Sequence, residues 1–199
     1  MTSPKEDLID TDSIAEGDAQ AFTEIYNIYW ERVYGFAYRM TGDQTTAEDI
    51  THEAFLVLIR HPKRYHRERG SMLTFLCAVA RNCIFHHFRR RGYEIDDAFD
   101  EQSSVSTFIA TEKNPLNYLL ERELVEKVNE SVALLPVLQR EVLILREFQD
   151  LSYEEIAAVV GGEVNVVKAR LYRARQTLAK RLAPYMTVKG DRCYEMPGS

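Results

Sequence analysis

Apolar residues recur every three or four positions through most of this chain, which is the spacing of one face of a helix. The first such repeat includes Phe22, Ile25 and Tyr29 and stops at Gly42. A second helix is predicted over about residues 45–60, ended by Pro62, and a third over about residues 71–91. The pattern therefore predicts a block of helices spanning residues 10–93.

Between residues 94 and 115 the periodicity gives way to Asp, Glu, Ser, Thr and Gln, a composition that predicts a flexible acidic linker. Helical spacing returns over about residues 116–134 and again from Pro136 to about residue 148. Two further helices follow, and residues 184–199 form a tail. Strand signals are scarce, so the predicted fold is all-α, with two small helical domains at residues 10–93 and 116–183.

Residues 151–182 have the pattern of a helix-turn-helix. Ser152 stands where it can cap a helix, and Glu154 and Glu155 complement the helix dipole. The pair Gly161-Gly162 is predicted to supply a tight turn with positive φ. Asn165 is then predicted to cap a second helix that runs to about residue 182.

This second helix has two different faces. One arc of about 90° holds Val167, Leu171, Ala174, Leu178 and Leu182, the stripe expected to pack inward. Residues 166–182 also contain six Lys or Arg and no acid, which favours a recognition helix in a DNA major groove over a core helix with a solvated basic face. The candidate duplex-contacting residues are Val166, Lys168, Ala169, Arg170, Tyr172, Arg173, Arg175, Gln176 and Lys180.

Charge is strongly segregated behind a net charge of −6. Residues 1–53 carry 12 acidic and 3 basic side chains, whereas residues 60–91 carry 9 basic and 1 acidic. Residues 94–130 are acidic again, before the basic helix at 166–182. Two basic islands on predicted helices in an acidic chain indicate two separate nucleic-acid contacts.

The first basic island includes the helix at about residues 71–91. Arg81, Asn82, Phe85, Phe88 and Arg89 fall on its predicted outer face. Exposed aromatic rings between guanidinium groups are typical of a platform on which unpaired bases stack. The alternative is that Phe85 and Phe88 pack on the preceding helix.

The helix at about residues 45–60 has apolar side chains on the face opposite its core stripe. Phe55, Leu56 and Ile59 lie there among charged residues. Such a face indicates either a docked partner or neighbouring helices that bury both sides. Asp49, His52, Glu53 and Arg60 complete this candidate surface.

These motifs, in this order, resemble the extracytoplasmic-function (ECF) group of bacterial RNA polymerase sigma-70 factors. Residues 47–55, Ala-Glu-Asp-Ile-Thr-His-Glu-Ala-Phe, resemble its core-binding segment, and residues 80–82 with 88–91 its −10 segment. Residues 135–142, 151–157 and 167–175 resemble its −35-reading domain. The resemblance covers about residues 19–181.

The resemblance implies sigma region 2 in the first domain, sigma region 4 in the second, and a transcription initiation factor rather than an enzyme. It implies promoter DNA, the β′ and β subunits of core RNA polymerase and an anti-sigma factor as partners, with no cofactor. Asp49, His52, Glu53, Phe55, Leu56, Ile59 and Arg60 would bind polymerase. Arg81, Asn82, Phe85, His86, Arg89 and Arg90 would hold the melted −10 strand, and the nine residues above would read the −35 duplex.

Two other classes of protein account for parts of this sequence. A repressor or activator with a helical sensory domain accounts for the helix-turn-helix but not for the first basic island. A metal enzyme or redox sensor could use Cys77, Cys83, His86 and His87, since Cys83 and His87 are spaced i,i+4. Those two lie on the predicted inner face, which favours ordinary core residues.

The sequence also predicts a cytoplasmic location. Three cysteines, Cys77, Cys83 and Cys193, suit a reducing cytoplasm better than a disulfide scaffold. The acidic N-terminus and the lack of an apolar run near 18 residues predict neither signal peptide nor membrane insertion.

Overall fold

The computed structural model describes residues 18–93 and 119–187, with side chains described for residues 125–185 of the second range. These ranges contain seven α-helices and two short 3₁₀ turns, and no strand. The predicted linker at 94–115, the start of the first block at 10–17, Cys193 and most of the tail lie outside them. The helices are α1 (Ala19–Thr41), α2 (Gln44–Arg60), α3 (Met72–Arg90), α4 (Leu119–Ala133), α5 (Val137–Glu147), α6 (Tyr153–Val160) and α7 (Val164–Thr187).

Helices α1, α2 and α3 form the first domain, and their ends follow local sequence signals. Asp18, Asp43 and Ser71 each accept a backbone N–H of the first turn. Gly42 ends α1 with φ of 71°, a conformation that glycine adopts without penalty. The apolar stripes predicted for these helices meet in the core, with Tyr29, Phe36 and Leu76 at most 1% exposed.

Helices α4 to α7 form the second domain. Ser152 and Glu155 make a reciprocal capping box at the start of α6. Gly161 ends α6 with φ of 68°, and the Gly162 N–H donates to the Ala157 carbonyl at 3.1 Å.

The predicted start of the second motif helix was wrong. The helix begins at Val164, where the Val167 N–H donates to the Glu163 carbonyl at 3.1 Å, so Asn165 lies inside the first turn. Of the two turn glycines, Gly161 alone has a positive φ, since one αL residue already reverses the chain. Helix α7 also continues to Thr187, beyond the predicted end near 182.

The two domains pack against each other. Helix α3 contacts α6, and α1 contacts both α4 and α5. The buried apolar residues of both domains belong to one continuous cluster. The periodicity of the sequence contains no signal for this interface. None of the helices in the described ranges has the length and hydropathy of a membrane span.

Candidate polymerase and promoter interfaces

The front of α7 faces solvent as predicted. Val166 is 40% exposed and Tyr172 is 66% exposed, while Val167, Leu171 and Ala174 behind them are at most 2% exposed. The other exposed residues of this face are Lys168, Ala169, Arg173, Gln176 and Lys180. A continuous surface of small, amide and cationic side chains can therefore enter a groove without repacking the helix.

Two cations predicted to flank this face are engaged within the protein. The Arg170 side chain is 13% exposed and lies 3.8 Å from Glu141, so the predicted exposed position was wrong for this residue. Arg175 is exposed but donates to Glu147 at 2.5 Å. Arg170 is turned inward because the buried carboxylate of Glu141 attracts its guanidinium group.

Tyr153 links the two helices of the motif. The Lys168 ammonium lies 5.5 Å and the Arg146 guanidinium 5.1 Å from the centre of its ring. Both contacts are of cation–π type. They hold Lys168 at the N-terminal end of the exposed α7 face, where a phosphate contact is expected.

The outer face of α2 exposes fewer apolar side chains than predicted. Leu56 and Ile59 are 36% and 45% exposed. The polar members of the set, Asp49, His52, Glu53 and Arg60, are also exposed. The result is a small apolar patch ringed by charge.

Phe55, one of the predicted polymerase-binding residues, is covered by α1, which is the second of the two alternatives for this face. Its side chain is 2% exposed and packs against Tyr26, with ring centroids 5.0 Å apart, and against Phe22 and Trp30 of α1. The His52 ring lies 4.8 Å from the Trp30 ring, so α1 supports the patch from below. Sequence reasoning missed Trp30, although its i−4 neighbour Tyr26 shares the same helix face.

The predicted −10 residues of α3 fall into an exposed group and a buried group. Asn82, His86, Arg89 and Arg90 are exposed. Phe85 and Phe88 are only 5% and 8% exposed, so the predicted open aromatic platform was wrong. Phe88 packs edge-on against Tyr93 at 5.4 Å, and the Arg81 guanidinium covers the Phe85 ring at 4.2 Å.

Arg81 itself is turned toward the second domain. Its Nε donates to Glu141 Oε2 at 2.7 Å and its Nη2 to Oε1 at 3.3 Å, a bidentate ion pair. The Glu141 side chain is 0% exposed. Sequence reasoning assigned Glu141 no function, yet an acid beside the apolar run of residues 142–145 signals that a cation must lie nearby.

Three more polar contacts join the domains. Arg140 is 7% exposed and donates to the carbonyls of Met40 at 2.9 Å, Leu135 at 3.1 Å and Ala133. Burial lowers the pKa of Arg140 to about 10, so it stays charged at neutral pH. Arg32 donates to the Gln149 carbonyl at 2.5 Å, and the Gln149 amide donates to the Arg32 carbonyl at 3.0 Å.

Glu155 is the third contact. Its Oε1 accepts from the Ser71 and Thr74 hydroxyls, each at 3.3 Å. Burial favours protonation of this carboxyl, but the hydrogen bonds from Ser152, Ser71 and Thr74 outweigh it and lower the pKa of Glu155. The same carboxylate therefore caps α6 and binds the start of α3.

The cysteine and histidine residues do not assemble into a metal site in the described ranges, where three or more His, Cys, Asp or Glu are never grouped. Cys77 is fully buried, and burial raises the pKa of its thiol to about 12. Burial also raises the pKa of the half-buried Cys83 thiol. Both thiols are thus held in their less reactive protonated form.

A small helical domain that presents a basic, solvent-facing second helix of a helix-turn-helix is typical of DNA-binding transcription factors. Comparison with known families then gives the group. The family Sigma-70 region 2 matches residues 25–93 and the family Sigma-70, region 4 matches residues 126–178, together more than half of the 199-residue chain. The chain belongs to the sigma-70 family of RNA polymerase factors, in its extracytoplasmic-function group. It is therefore a factor for promoter-specific transcription initiation.

Relatives match along nearly the whole chain. RNA polymerase sigma-H factor of Pseudomonas aeruginosa is 29% identical, covering 94% of this chain and 98% of the relative. ECF RNA polymerase sigma factor SigW of Bacillus subtilis is also 29% identical, covering 85% and 92%. The solved sigma factor RpoE of Bartonella quintana, in complex with the anti-sigma factor NepR, shares the fold with a TM-score of 0.63 at 22% identity, covering 87% of this chain and 100% of that one.

Proposed function

We propose that three surfaces of this sigma factor divide the work of initiation. The α2 patch binds core RNA polymerase through its β′ and β subunits, the front of α7 reads the −35 duplex, and α3 holds the melted −10 strand. The observation that carries the proposal is the one-sided α7 helix, whose basic front is exposed while its apolar back is buried. A helix of this kind, with cationic side chains beside the exposed face that can bind phosphate, is suited to reading base edges in a major groove.

For the duplex reader, Arg173 is the central residue. It lies on the exposed front next to Tyr172 and one turn from Ala169. A guanidinium there can bind the O6 and N7 of one guanine, while the small Ala169 side chain lets the helix approach the base edges. Lys180 lies two turns further along and would contact phosphate.

For the polymerase surface, Leu56 and Ile59 are the proposed apolar anchors and Asp49, His52, Glu53 and Arg60 the polar rim. A small apolar centre within a charged ring is the usual arrangement of a protein interface. Phe55 contributes from beneath by fixing the helix against α1. It would affect binding through the position of α2.

The reconstituted initiation reaction tests this division. Core polymerase is mixed with the purified chain, and transcripts from genomic template are sequenced. Leu56→Arg should abolish co-elution with core polymerase and all directed transcription. Val125→Arg, at a residue of the second domain that is 58% exposed, is the matched control and should leave both unchanged. Undiminished co-elution of Leu56→Arg would remove the α2 patch from the interface.

We also propose that this chain acts in the cytoplasm and is regulated there by an anti-sigma factor, which would bind the polymerase-binding patch of α2. Among the solved structural neighbours are the sigma factor RpoE in complex with the anti-sigma factor NepR, and CnrH in complex with the cytosolic domain of CnrY. A regulator that covers the α2 patch would compete with core polymerase. Co-purification from native cells, followed by displacement with excess core polymerase, tests it. A partner that remains bound together with polymerase would contradict competition at this patch.

A further inference from the structure

Two apolar side chains lie on the exposed face of α7, among its polar and cationic residues. Val166 is 40% exposed, and Ala169, almost one helical turn further along, is exposed as well. Residues at this i,i+3 spacing are neighbours on a helix surface, with Cβ atoms about 5–6 Å apart. The next residue, Val167, is 0% exposed and belongs to the buried apolar cluster, whereas Val166 is not part of that cluster. The pair therefore offers its apolar surface outward.

The local structure places this pair at the end of the helix that reads bases in related motifs. Helix α7 begins at Val164, so Val166 lies in its first turn. In a helix-turn-helix, the N-terminal residues of the recognition helix contact the base edges. Valine has one strongly preferred rotamer in a helix, and alanine has no side-chain rotamers to lose. This surface is therefore ordered before DNA binds.

The chemistry of the pair limits the base edges that it can face, because neither side chain has a donor or an acceptor. The amino group of cytosine or adenine placed against it would lose water and gain no hydrogen bond. Thymine differs, since it presents its 5-methyl group in the major groove. A methyl group that meets Val166 and Ala169 replaces water on three apolar surfaces at once.

The position of Arg173 fixes where such a thymine would lie. Arg173 follows Ala169 by four residues, which is about 6 Å along a helix axis. That rise corresponds to about two base-pair steps of about 3.4 Å each. The guanine proposed for Arg173 and a thymine at the apolar pair can therefore be close neighbours in the same groove.

We propose that Val166 and Ala169 bind the 5-methyl group of a thymine in the −35 element, within about two base pairs of the guanine bound by Arg173. The inference rests on the proposed role of α7 as the duplex reader. It adds to that role a base that is recognised by apolar contact and not by hydrogen bonding. The −35 elements of this factor should therefore pair a guanine with a thymine at a fixed spacing.

The probe is a library of promoter duplexes in which the −35 window of a fragment transcribed by this holoenzyme is randomised. Holoenzyme reconstituted from the full chain and core polymerase selects from the library, and the bound duplexes are sequenced. The selected element should contain a guanine whose preference is lost in Arg173→Ala. It should also contain a thymine within about two base pairs of that guanine, on either strand. Selected elements without such a thymine overturn the proposal.

The decisive measurement removes only the methyl group from the DNA, since uracil is thymine without it. Replacing this thymine by uracil should weaken binding of the wild-type holoenzyme by about fourfold, the effect of exposing one buried carbon group. Cytosine at the same position should bind more weakly still, and 5-methylcytosine should recover about fourfold. Competition binding on the four duplexes gives these ratios. Uracil that binds as tightly as thymine overturns the proposal.

Val166→Ala tests the protein side of the same contact. It removes two methyl groups, so the preference for thymine over uracil should fall from about fourfold to less than about twofold. Val125→Ala is the matched control, because it shortens another exposed valine, 58% exposed, that lies on α4. It should keep the full preference. A Val166→Ala holoenzyme that still prefers thymine by about fourfold overturns the proposal.

Ala169→Ser tests the second member of the pair. Its hydroxyl group would face the methyl group and retain water there, so the preference for thymine over uracil should also fall. The guanine preference that depends on Arg173 should remain, since that side chain is unchanged. An unchanged preference for thymine in Ala169→Ser would exclude Ala169 from the contact and overturn the proposal.

The outcomes separate this proposal from the proposed function. If α7 does not read the duplex, Arg173→Ala and Val166→Ala both leave the selected −35 sequence unchanged, and both proposals fail. If Arg173→Ala alters selection at a guanine while uracil still equals thymine, α7 reads the duplex without the methyl contact. That result keeps the proposed function and overturns only the contact of Val166 and Ala169.

Discussion

Helices α3 and α7 are both basic and both predicted to contact DNA, yet they differ in how much of their binding face is open. On α7 the buried stripe lies at the back and Tyr172 at the front is 66% exposed. On α3 the aromatic residues of the front are covered, and Arg81 is paired with an acid of the other domain. Helical phase alone therefore does not identify a free surface, because a second domain can cover that face.

The difference has a thermodynamic meaning. The front of α7 is exposed, so the proposed entry into a groove would not require the helix to repack, although Arg170 and Arg175 are paired with Glu141 and Glu147. If Arg81 binds DNA as proposed, it would first have to exchange its hydrogen bonds with Glu141 for DNA contacts, which would lower its apparent affinity for DNA in the free chain. The following predictions test this contrast, beginning with the largest effect.

The largest expected effect is at Phe85. Phe85→Ala should lower the free energy of unfolding by about 3 kcal/mol, because the ring is buried and its removal leaves a cavity. Tyr172→Ala, at the exposed front of α7, should change stability by less than about 0.5 kcal/mol. Urea denaturation followed by circular dichroism measures both. Equal stability of the two variants would mean that the Phe85 ring is solvent-exposed in the free chain.

Arg140 should have the next largest effect. Arg140→Met removes the donor that reaches the carbonyls of Met40, Ala133 and Leu135, and should cost about 2 kcal/mol. Arg175→Met, which breaks an exposed pair, should cost less than about 1 kcal/mol. The thermal midpoints of the two variants provide the comparison. A midpoint for Arg140→Met at or above that of Arg175→Met would contradict a structural role for the Arg140 bonds.

The next prediction concerns the proposed base contact of Arg173 on α7. Arg173→Ala should weaken binding of the holoenzyme to its cognate −35 duplex by about 1–3 kcal/mol and relax preference at one base pair. Lys180→Ala should weaken cognate and scrambled duplexes about equally and flatten the salt dependence. Competition binding on both duplexes measures the two losses. Equal losses on both duplexes for Arg173→Ala would reassign it to phosphate contact.

The smallest effect is a pH dependence at Glu155. The pKa of Glu155 is lower in the folded chain than its ordinary value of 4.5. Ionised Glu155 therefore contributes its whole stabilisation of the fold above pH 4.5, and this contribution is lost as the pH falls through the folded pKa. Glu155→Gln should therefore flatten the acid limb of the thermal midpoint below about pH 4.5. Glu154→Gln, on the exposed side of the same turn, should leave that limb unchanged. Identical acid limbs in the wild type and Glu155→Gln would contradict the assignment.

Much of the architecture was predictable because its causes are local. Asp18, Asp43, Ser71 and Ser152 cap the helices that follow them, and apolar spacing identified the inner faces of α1 and α7. Membership in the sigma-70 family was likewise predicted from motifs and is confirmed by both family matches. The domain boundaries and the individual binding roles stay predictions.

Which of the predicted faces are covered depends on how the helices and domains pack. Phe55 is buried by α1 and not exposed on α2, while Phe85 and Arg81 are engaged at the contact between domains. Arg81 and Glu141 are 60 positions apart, and Arg32 and Gln149 are 117 apart. Periodicity describes one helix against an unspecified core, so it determines which side of that helix is apolar. Which charged side chains meet depends on how two folded domains dock, and that is set by shape and charge complementarity across positions remote in sequence.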